Sequence, residues 1–183
     1  EIDNSNKIKF NDLKIDLPNF EKICKLDISK NQNFIEFPLE TIKFLKKISK
    51  VLKKNNGGLL CIDYGYTKQK MFNSLQSIKK HNYTNVLSDP GQQDITHLIN
   101  FSLINKISLK LGLQTESIVT QGKFLKNLGI IERANILSSK KNFKEKSDIF
   151  YRLKRLIHPN EMGDLFKVFF CKKKNTKFNL GFN

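Results

Sequence analysis

From Pro38 onward, apolar residues recur at helical spacing as Ile42, Leu45, Ile48 and Leu52, which predicts a helix. Pro38 sits where a first turn tolerates proline, and Lys43, Lys46, Lys47, Lys50, Lys53 and Lys54 take the other faces and the end, where they suit the helix dipole. The pattern breaks at Asn55-Asn56-Gly57-Gly58. Next comes Leu59-Leu60-Cys61-Ile62, an apolar run too short for a helix, which predicts a strand buried on both faces. Helix, glycine stop and buried strand form one step of a doubly wound α/β fold.

Upstream the period is two. Ile8 and Phe10, then Leu13, Ile15 and Leu17, alternate with polar residues across 7–17 and break at Asn11-Asp12, which predicts a β-hairpin. Leu26 with Ile28, and Phe34-Ile35-Glu36-Phe37, are further short strand candidates, so residues 1–37 read as a β insertion or edge segment. Downstream, Asn100 is a natural N-cap for a helix carrying Leu103, Ile104, Ile107 and Leu111 and closed by Gly112. A strand is expected at 117–120, a short helix with Phe124, Leu125 and Leu128 up to Gly129, and another helix across 130–137. Residues 138–147 read as a lysine-rich loop. Ser147 then caps a helix with Ile149, Phe150, Leu153 and Ile157, stopped by Pro159. Residues 165–171 form the second strongly apolar strand. Its Phe166, Phe169 and Phe170 fall on both faces, which suits a core better than a base-stacking platform. Residues 176–183 read as a ragged tail.

Between the central strand and Asn100 lies a long polar stretch. The strand runs into Asp63-Tyr64-Gly65-Tyr66, a carboxylate, a phenol and a glycine at the edge where open α/β sheets bind ligands. Beyond it stand Ser74-Leu75-Gln76-Ser77, His81-Asn82-Tyr83 and Asp89-Pro90-Gly91-Gln92-Gln93-Asp94-Ile95-Thr96, dense in donors, acceptors and turn residues. A loop of such length with scattered apolar residues is expected to be functional.

Composition changes the picture little. A length of 183 residues bounds one ordinary domain, although a polar start at Glu1 reads as a cut within something longer. The chain carries no secretory signal and no apolar run long enough to span a bilayer. The formal charge of +16 invites a nucleic-acid reading, but only Arg133, Arg152 and Arg155 are arginines and the lysines are scattered among Asn and Ile, as an AT-rich genome would produce. A solvated lysine surface is the expectation, with no nucleic-acid partner. Cys24, Cys61 and Cys171 are odd in number and far apart, which points to free thiols in a reducing compartment and to no metal site.

Five collinear fragments then carry a family resemblance. These are Asp63-Tyr64-Gly65; Leu75-Gln76 with His81; Asp89-Pro90-Gly91 with Asp94-Ile95-Thr96; Thr120-Gln121-Gly122 with Phe124-Leu125 and Leu128-Gly129-Ile130; and Met162-Gly163 with Leu165-Phe166-Lys167-Val168. In order and spacing across 56–170 the chain resembles the MidA family of S-adenosylmethionine-dependent methyltransferases. Mitochondrial members of that family are protein arginine methyltransferases needed for assembly of respiratory complex I. The resemblance implies a Rossmann-like class I methyltransferase fold, here partial: the strand at 58–63 would be the fifth, that near 117–120 the sixth and 165–171 the antiparallel seventh. It divides the chain into a β-hairpin insertion at 1–37, the carboxyl-terminal half of the methyltransferase domain at 38–175 and a tail. The family's Glu-x-Gly-x-Gly turn, its ribose-binding acidic residue and its Asn-Glu-(Phe)-Phe-Asp-Ala segment do not occur here, which leaves the cofactor-binding residues unassigned and implies an inactive fragment. Asn100-Phe101 replaces a common Asp-Phe; the capping role survives the change. A sheet without its first four strands would expose an apolar edge, so marginal stability or aggregation is expected.

The same resemblance implies the cofactor S-adenosyl-L-methionine, a protein acceptor that is a complex I subunit, and a bacterial cytoplasm or mitochondrial matrix as the compartment. An arginine acceptor needs a carboxylate to hold its always-protonated guanidinium. Asp63, Asp89 and Asp94 are the candidates, with His81 as a base near neutral pH. Asp89 is equally a turn residue before Pro-Gly, Asp94 equally a cap and His81 equally a surface histidine. Tyr64, Gly65, Gln76, Pro90, Gly91, Thr96, Gln121 and Gly122 are the candidate acceptor-binding residues, and a plain strand-to-helix turn explains Gln121-Gly122 as well. The competing class is a non-catalytic basic module binding RNA or a protein. Salt dependence would separate the two, since phosphate contacts weaken as counterions compete.

Overall fold

The structure, a computed structural model, describes residues 1–2 and 8–182. In chain order the elements are α1 (Leu17–Cys24), α2 (Leu39–Asn55), β1 (Gly58–Tyr66), β2 (Gln76–Lys79), β3 (Asn82–Thr84), β4 (Asp94–Thr96), β5 (Ile99–Asn100) and α3 (Phe101–Lys110). They continue with β6 (Gln114–Thr115), β7 (Val119–Thr120), α4 (Gln121–Asn127), α5 (Ile130–Ser138), α6 (Phe143–Ile157), a helical turn at Pro159–Gly163 and β8 (Phe166–Lys172). Contacts divide the chain into one unit of residues 1–37 with 70–98 and a larger one of 38–69 with 99–183.

The larger unit is built on β1 and β8. They pair antiparallel from Gly58 opposite Lys172 to Tyr64 opposite Phe166, as expected for the central and last apolar strands. Strands β6 and β7 continue the sheet on the far side of β8; β7 fills the second half of the strand expected at 117–120, and β6 lies just before it. On its other side β1 meets β5, in parallel, at Gly65 and Tyr66. From Gly58 to Tyr64 that edge has no strand partner among the described residues.

Direct pairs share a face of the sheet. Leu59 and Cys61 therefore face the same way as Cys171 and Phe169, toward α3, whose Ser108 hydroxyl meets the Cys171 thiol. Helix α3 forms because the Asn100 Oδ1 accepts from the Leu103 N–H at 3.0 Å and Phe101, Leu103, Ile104 and Ile107 share its buried side. On the opposite face Val119, Val168 and Phe170 pack with Phe124 and Phe182. That cover stops short of β1: Leu60 and Ile62 are 46% and 41% exposed, so β1 is not buried on both faces as its composition predicts. Helix α2 runs as expected, burying Ile42, Leu45 and Leu52 and ending at Asn56 in the left-handed conformation.

Three further expectations are corrected. Helix α6 begins at Phe143, not after Ser147, because Asn142 and Glu145 form a reciprocal capping box: the Asn142 side chain accepts from the Glu145 N–H at 3.0 Å, and Glu145 accepts from the Asn142 N–H at 3.2 Å. The tail is not ragged. Phe178 packs on Phe170 at 5.3 Å, and Phe182 lies 5.1 Å from Phe124 between ring centroids. The hairpin expected at 7–17 is absent from its described part, Lys7 lying outside the described residues. An isolated bridge joins Ile2 to Ile8, Phe10, Leu13 and Ile15 are exposed, and Leu17 opens α1 because Asp16 caps the Asn19 N–H at 3.1 Å with Pro18 in the first turn. Residues 26–28 and 34–37 are likewise irregular, since Asp27 accepts from the Lys30 N–H in a local turn and Glu36 is drawn into a side-chain network.

The β structure of the smaller unit comes instead from the stretch expected to be a loop. Strands β3, β2 and β4 form an antiparallel sheet in that order. Lys80 and His81, at φ of 50° and 65°, make the two-residue turn between β2 and β3. The Glu36 carboxylate accepts from the Ser74 N–H at 2.9 Å and from its hydroxyl at 2.8 Å, and Ser74 Oγ accepts from the Leu98 N–H at 3.0 Å. This network fixes both ends of the sheet's chain segment.

Candidate functional site

In the larger unit, the candidates cluster at the carboxyl end of β1. The strand does not stop at Asp63 but continues through Tyr64 and Gly65 to Tyr66. Asp63 stands directly opposite Lys167 on β8, and Lys167 opposite Thr120 on β7, so these three side chains share one face as a polar row across three strands. The Asp63 Oδ1 accepts from the Tyr64 N–H at 2.8 Å, Thr120 Oγ1 caps the Lys123 N–H at 3.3 Å, and the Lys167 ammonium donates to the Asp164 carbonyl. Burial pulls Lys167 below the ordinary lysine range, against the opposing pull of Asp164. The Tyr64 ring meets Phe166 edge-on at 5.6 Å. Lys167 and Thr120 are the neighbours that reading by residue type missed. Only the strand register reveals them.

The thiols beside this row are poor nucleophiles. Burial pushes Cys171 up to about 11, with Cys61 adding to the shift, and burial followed by the Asp63 charge raises Cys61.

The glycines here are close-packed rather than open. A Cβ on Gly65 would lie 2.3 Å from the Ile99 carbonyl oxygen and 2.8 Å from the Phe101 ring. Gly65→Ala should therefore push β5 away from β1 and destabilise by about 1–3 kcal/mol, read as a lower urea midpoint with an unchanged slope. An unchanged midpoint would show that the strands yield freely. A Cβ on Gly122 would lie 2.7 Å from the Ile157 oxygen, and one on Gly163 would lie 2.4 Å from it. Gln121, buried, donates to the Leu156 carbonyl at 2.9 Å. The observed contacts of Gln121 and Gly122 thus tie α4 to the end of α6.

In the smaller unit, Gln76 and Thr96 stand opposite each other on β2 and β4 and bond through Gln76 Nε2 to Thr96 Oγ1 at 3.1 Å. Asp94, on the same edge strand, is exposed, and its side chain makes no hydrogen bond or ion pair among the described residues, so it caps nothing. Asp89 pairs with Lys79 at 2.6 Å, and that ammonium holds its carboxyl below the usual range. Asp89, Pro90 and Gly91 form a turn closed by the Gln92 N–H donating to the Asp89 carbonyl at 3.0 Å, with Gly91 at φ 79°. Gln93, also missed, organises that loop: its amide donates to the Asn85 and Val86 carbonyls at 3.1 Å each, and its Oε1 accepts from Thr84 at 2.7 Å. His81 is exposed at the hairpin tip.

A methionine-bearing cofactor needs open glycine backbone after a strand. Among the described residues Gly65, Gly122 and Gly163 have that space filled by the chain's own backbone, and Gly91, which is open, sits in a surface turn.

A model of the S-adenosyl-L-methionine-dependent methyltransferase family matches residues 2–119. The mitochondrial protein arginine methyltransferase NDUFAF7 of Danio rerio is 26% identical over 171 residues, 92% of this chain and 40% of that protein. Its Xenopus laevis counterpart is 29% identical over 128 residues, 68% of this chain and 28% of that protein. The chain thus spans well under half the length of these curated relatives. Among solved structures, a Burkholderia thailandensis protein superposes with TM-score 0.79 at 21% identity, covering 98% of this chain and 49% of that one. A second from the same organism, bound to S-adenosyl-homocysteine, superposes with TM-score 0.72 at 20% identity over 100% of this chain and 46% of that one. These likenesses establish the Rossmann-like methyltransferase fold.

Proposed function

Because the chain belongs to the S-adenosyl-L-methionine-dependent methyltransferase family whose model it matches over residues 2–119, we propose that it serves methyl transfer to an arginine side chain of a protein. That family match carries the proposal, and the names of the curated relatives supply the arginine acceptor. By the MidA resemblance the acceptor protein is a subunit of respiratory complex I, and the compartment a bacterial cytoplasm or a mitochondrial matrix.

The cofactor, when bound, supplies a methyl group on a sulfonium. The part left to this chain is to hold and orient the acceptor. A guanidinium is always protonated and pairs best with a planar carboxylate. Asp63 has the better support for that role, since it lies in the carboxyl-terminal half of the central strand with one oxygen already oriented by the Tyr64 N–H. Lys167 stands opposite it on β8, so an acceptor guanidinium would share this face with one lysine. Asp94 and Thr96 on β4, with Gln76, form the second candidate surface for the acceptor peptide. The ion pair of Asp89 and the hairpin-tip position of His81 support turn and surface roles for both.

The test is mass-spectrometric detection of methylarginine in an acceptor protein incubated with the enzyme and S-adenosylmethionine. Asp63→Asn should lower the rate about a hundredfold while cofactor affinity stays unchanged. Methylation of another residue type would overturn the acceptor, and full activity of Asp63→Asn would overturn the assigned role.

A further inference from the structure

Helices α5 and α6 pack against each other as a hairpin; α5 buries Ala134 and Ser138, and α6 half-buries Ile149, Leu153, Leu156 and Ile157. Their outer surface is unusual for a solvated one. Phe143, at the turn between the helices, is 87% exposed, Ile136 is 74% and Tyr151 is 63%, with Leu137 and Phe150 also exposed. Phe143 and Phe150, seven residues apart, share a flank of α6 with Lys146 and Lys154. Around Phe143 stand Lys140, Lys141, Lys144 and Lys146.

The charge here differs in kind from that elsewhere in the chain. Lysines occur on almost every segment, but all three arginines, Arg133, Arg152 and Arg155, fall within these two helices. Residues 130–157 hold eight basic residues against three acidic ones, and one of those, Glu145, is taken by Lys141 at 2.9 Å and by the cap of α6.

We propose that the α5–α6 hairpin is a docking surface for an anionic lipid bilayer, with the Phe143 end lowered into the interface. A projecting aromatic ring ringed by long basic side chains suits that boundary, since the ring enters the acyl region while the lysine stems lie along it and their ammoniums reach the phosphates. Charge complementarity points to an anionic partner. The exposed Ile136 and Leu137 favour lipid over nucleic acid, because aliphatic side chains can neither stack on bases nor bond to them. The protein lies on the membrane rather than in it: no helix among the described residues is long and apolar enough to cross one.

The experiment is flotation of the protein with vesicles of phosphatidylcholine alone and of phosphatidylcholine with about one-third phosphatidylglycerol. Binding is expected only to the anionic vesicles and should fall as salt rises. Replacing Arg152 and Arg155 together by glutamine should weaken it about thirtyfold, each charge being worth about fivefold near the surface. Phe143→Ser, at a largely exposed position where the fold should stay intact by circular dichroism, should weaken it as well. Failure to bind anionic vesicles, equal binding to neutral ones, or indifference to both variants would overturn the proposal. Binding to single-stranded RNA in place of vesicles would overturn it in favour of a nucleic-acid surface.

Discussion

Glu116→Ala is expected to destabilise the larger unit by about 3–5 kcal/mol, whereas Lys172→Met should be neutral or mildly stabilising. The Lys172 ammonium contacts the Glu116 carboxylate at 2.5 Å and donates to the Phe178 carbonyl, with only 4% of its side chain exposed. Removing the glutamate leaves a buried cation with a carbonyl as its remaining partner, so the desolvation cost is no longer offset. Removing the lysine takes away the costly charge itself, and the glutamate, which is less buried, can turn to water. The asymmetry is the signature. In thermal melts the first variant should lose about 10 °C and the second almost nothing. Equal losses would mean that the pair contributes through packing alone, and no loss in either would mean that water reaches Lys172.

Phe169→Ala should cost about 3–5 kcal/mol. Phe169 has no exposed surface, stands opposite Cys61 in the central strand pair and faces the apolar side of α3. Its ring is enclosed by regular structure on both the strand and helix sides, which leaves little room for collapse around the cavity. Guanidinium unfolding measures the change. Phe169→Leu should recover much of the loss, since it keeps most of the buried volume, and failure of that rescue would indicate a shape requirement rather than a volume one.

What could be read from the residues alone follows the range of the interactions concerned. Helices α2 and α3 are announced by local signals: Pro38, Asn56, the Asn100 cap and apolar positions at 3.6-residue spacing. Strands β1 and β8 are legible as short apolar runs, although the exposure of Leu60 and Ile62 is not, because composition reports apolarity and not what covers it. The α6 start was misplaced at Ser147 even though Asn142 and Glu145 stand three apart, a capping box hidden in a lysine-rich stretch. Alternation at Ile8, Phe10, Leu13 and Ile15 misled because a period of two needs a sheet to pair with, and Asp16 with Pro18 gives the chain a helix start instead. The polar row of the candidate site is half visible. Asp63 was found by its place after an apolar run, while Lys167 and Thr120 enter only through strand register, which one sequence does not encode locally. Asp89 and His81 looked chemical by type and are held in tight turns.

The pairing of β1 with β8 also governs when this sheet can come into being. Gly58 meets Lys172 across a loop of more than a hundred residues, so the central ladder waits on a long closure rather than a local zipper. During synthesis β1 leaves the ribosome long before its partner exists. In that interval the side of β1 that will face β8 is unpaired, and α2 and α3 are elements that can form and shield it. Formation of this ladder is therefore a late event that waits for β8 to emerge, and until then Leu59, Leu60 and Ile62 are open to pairing with other chains.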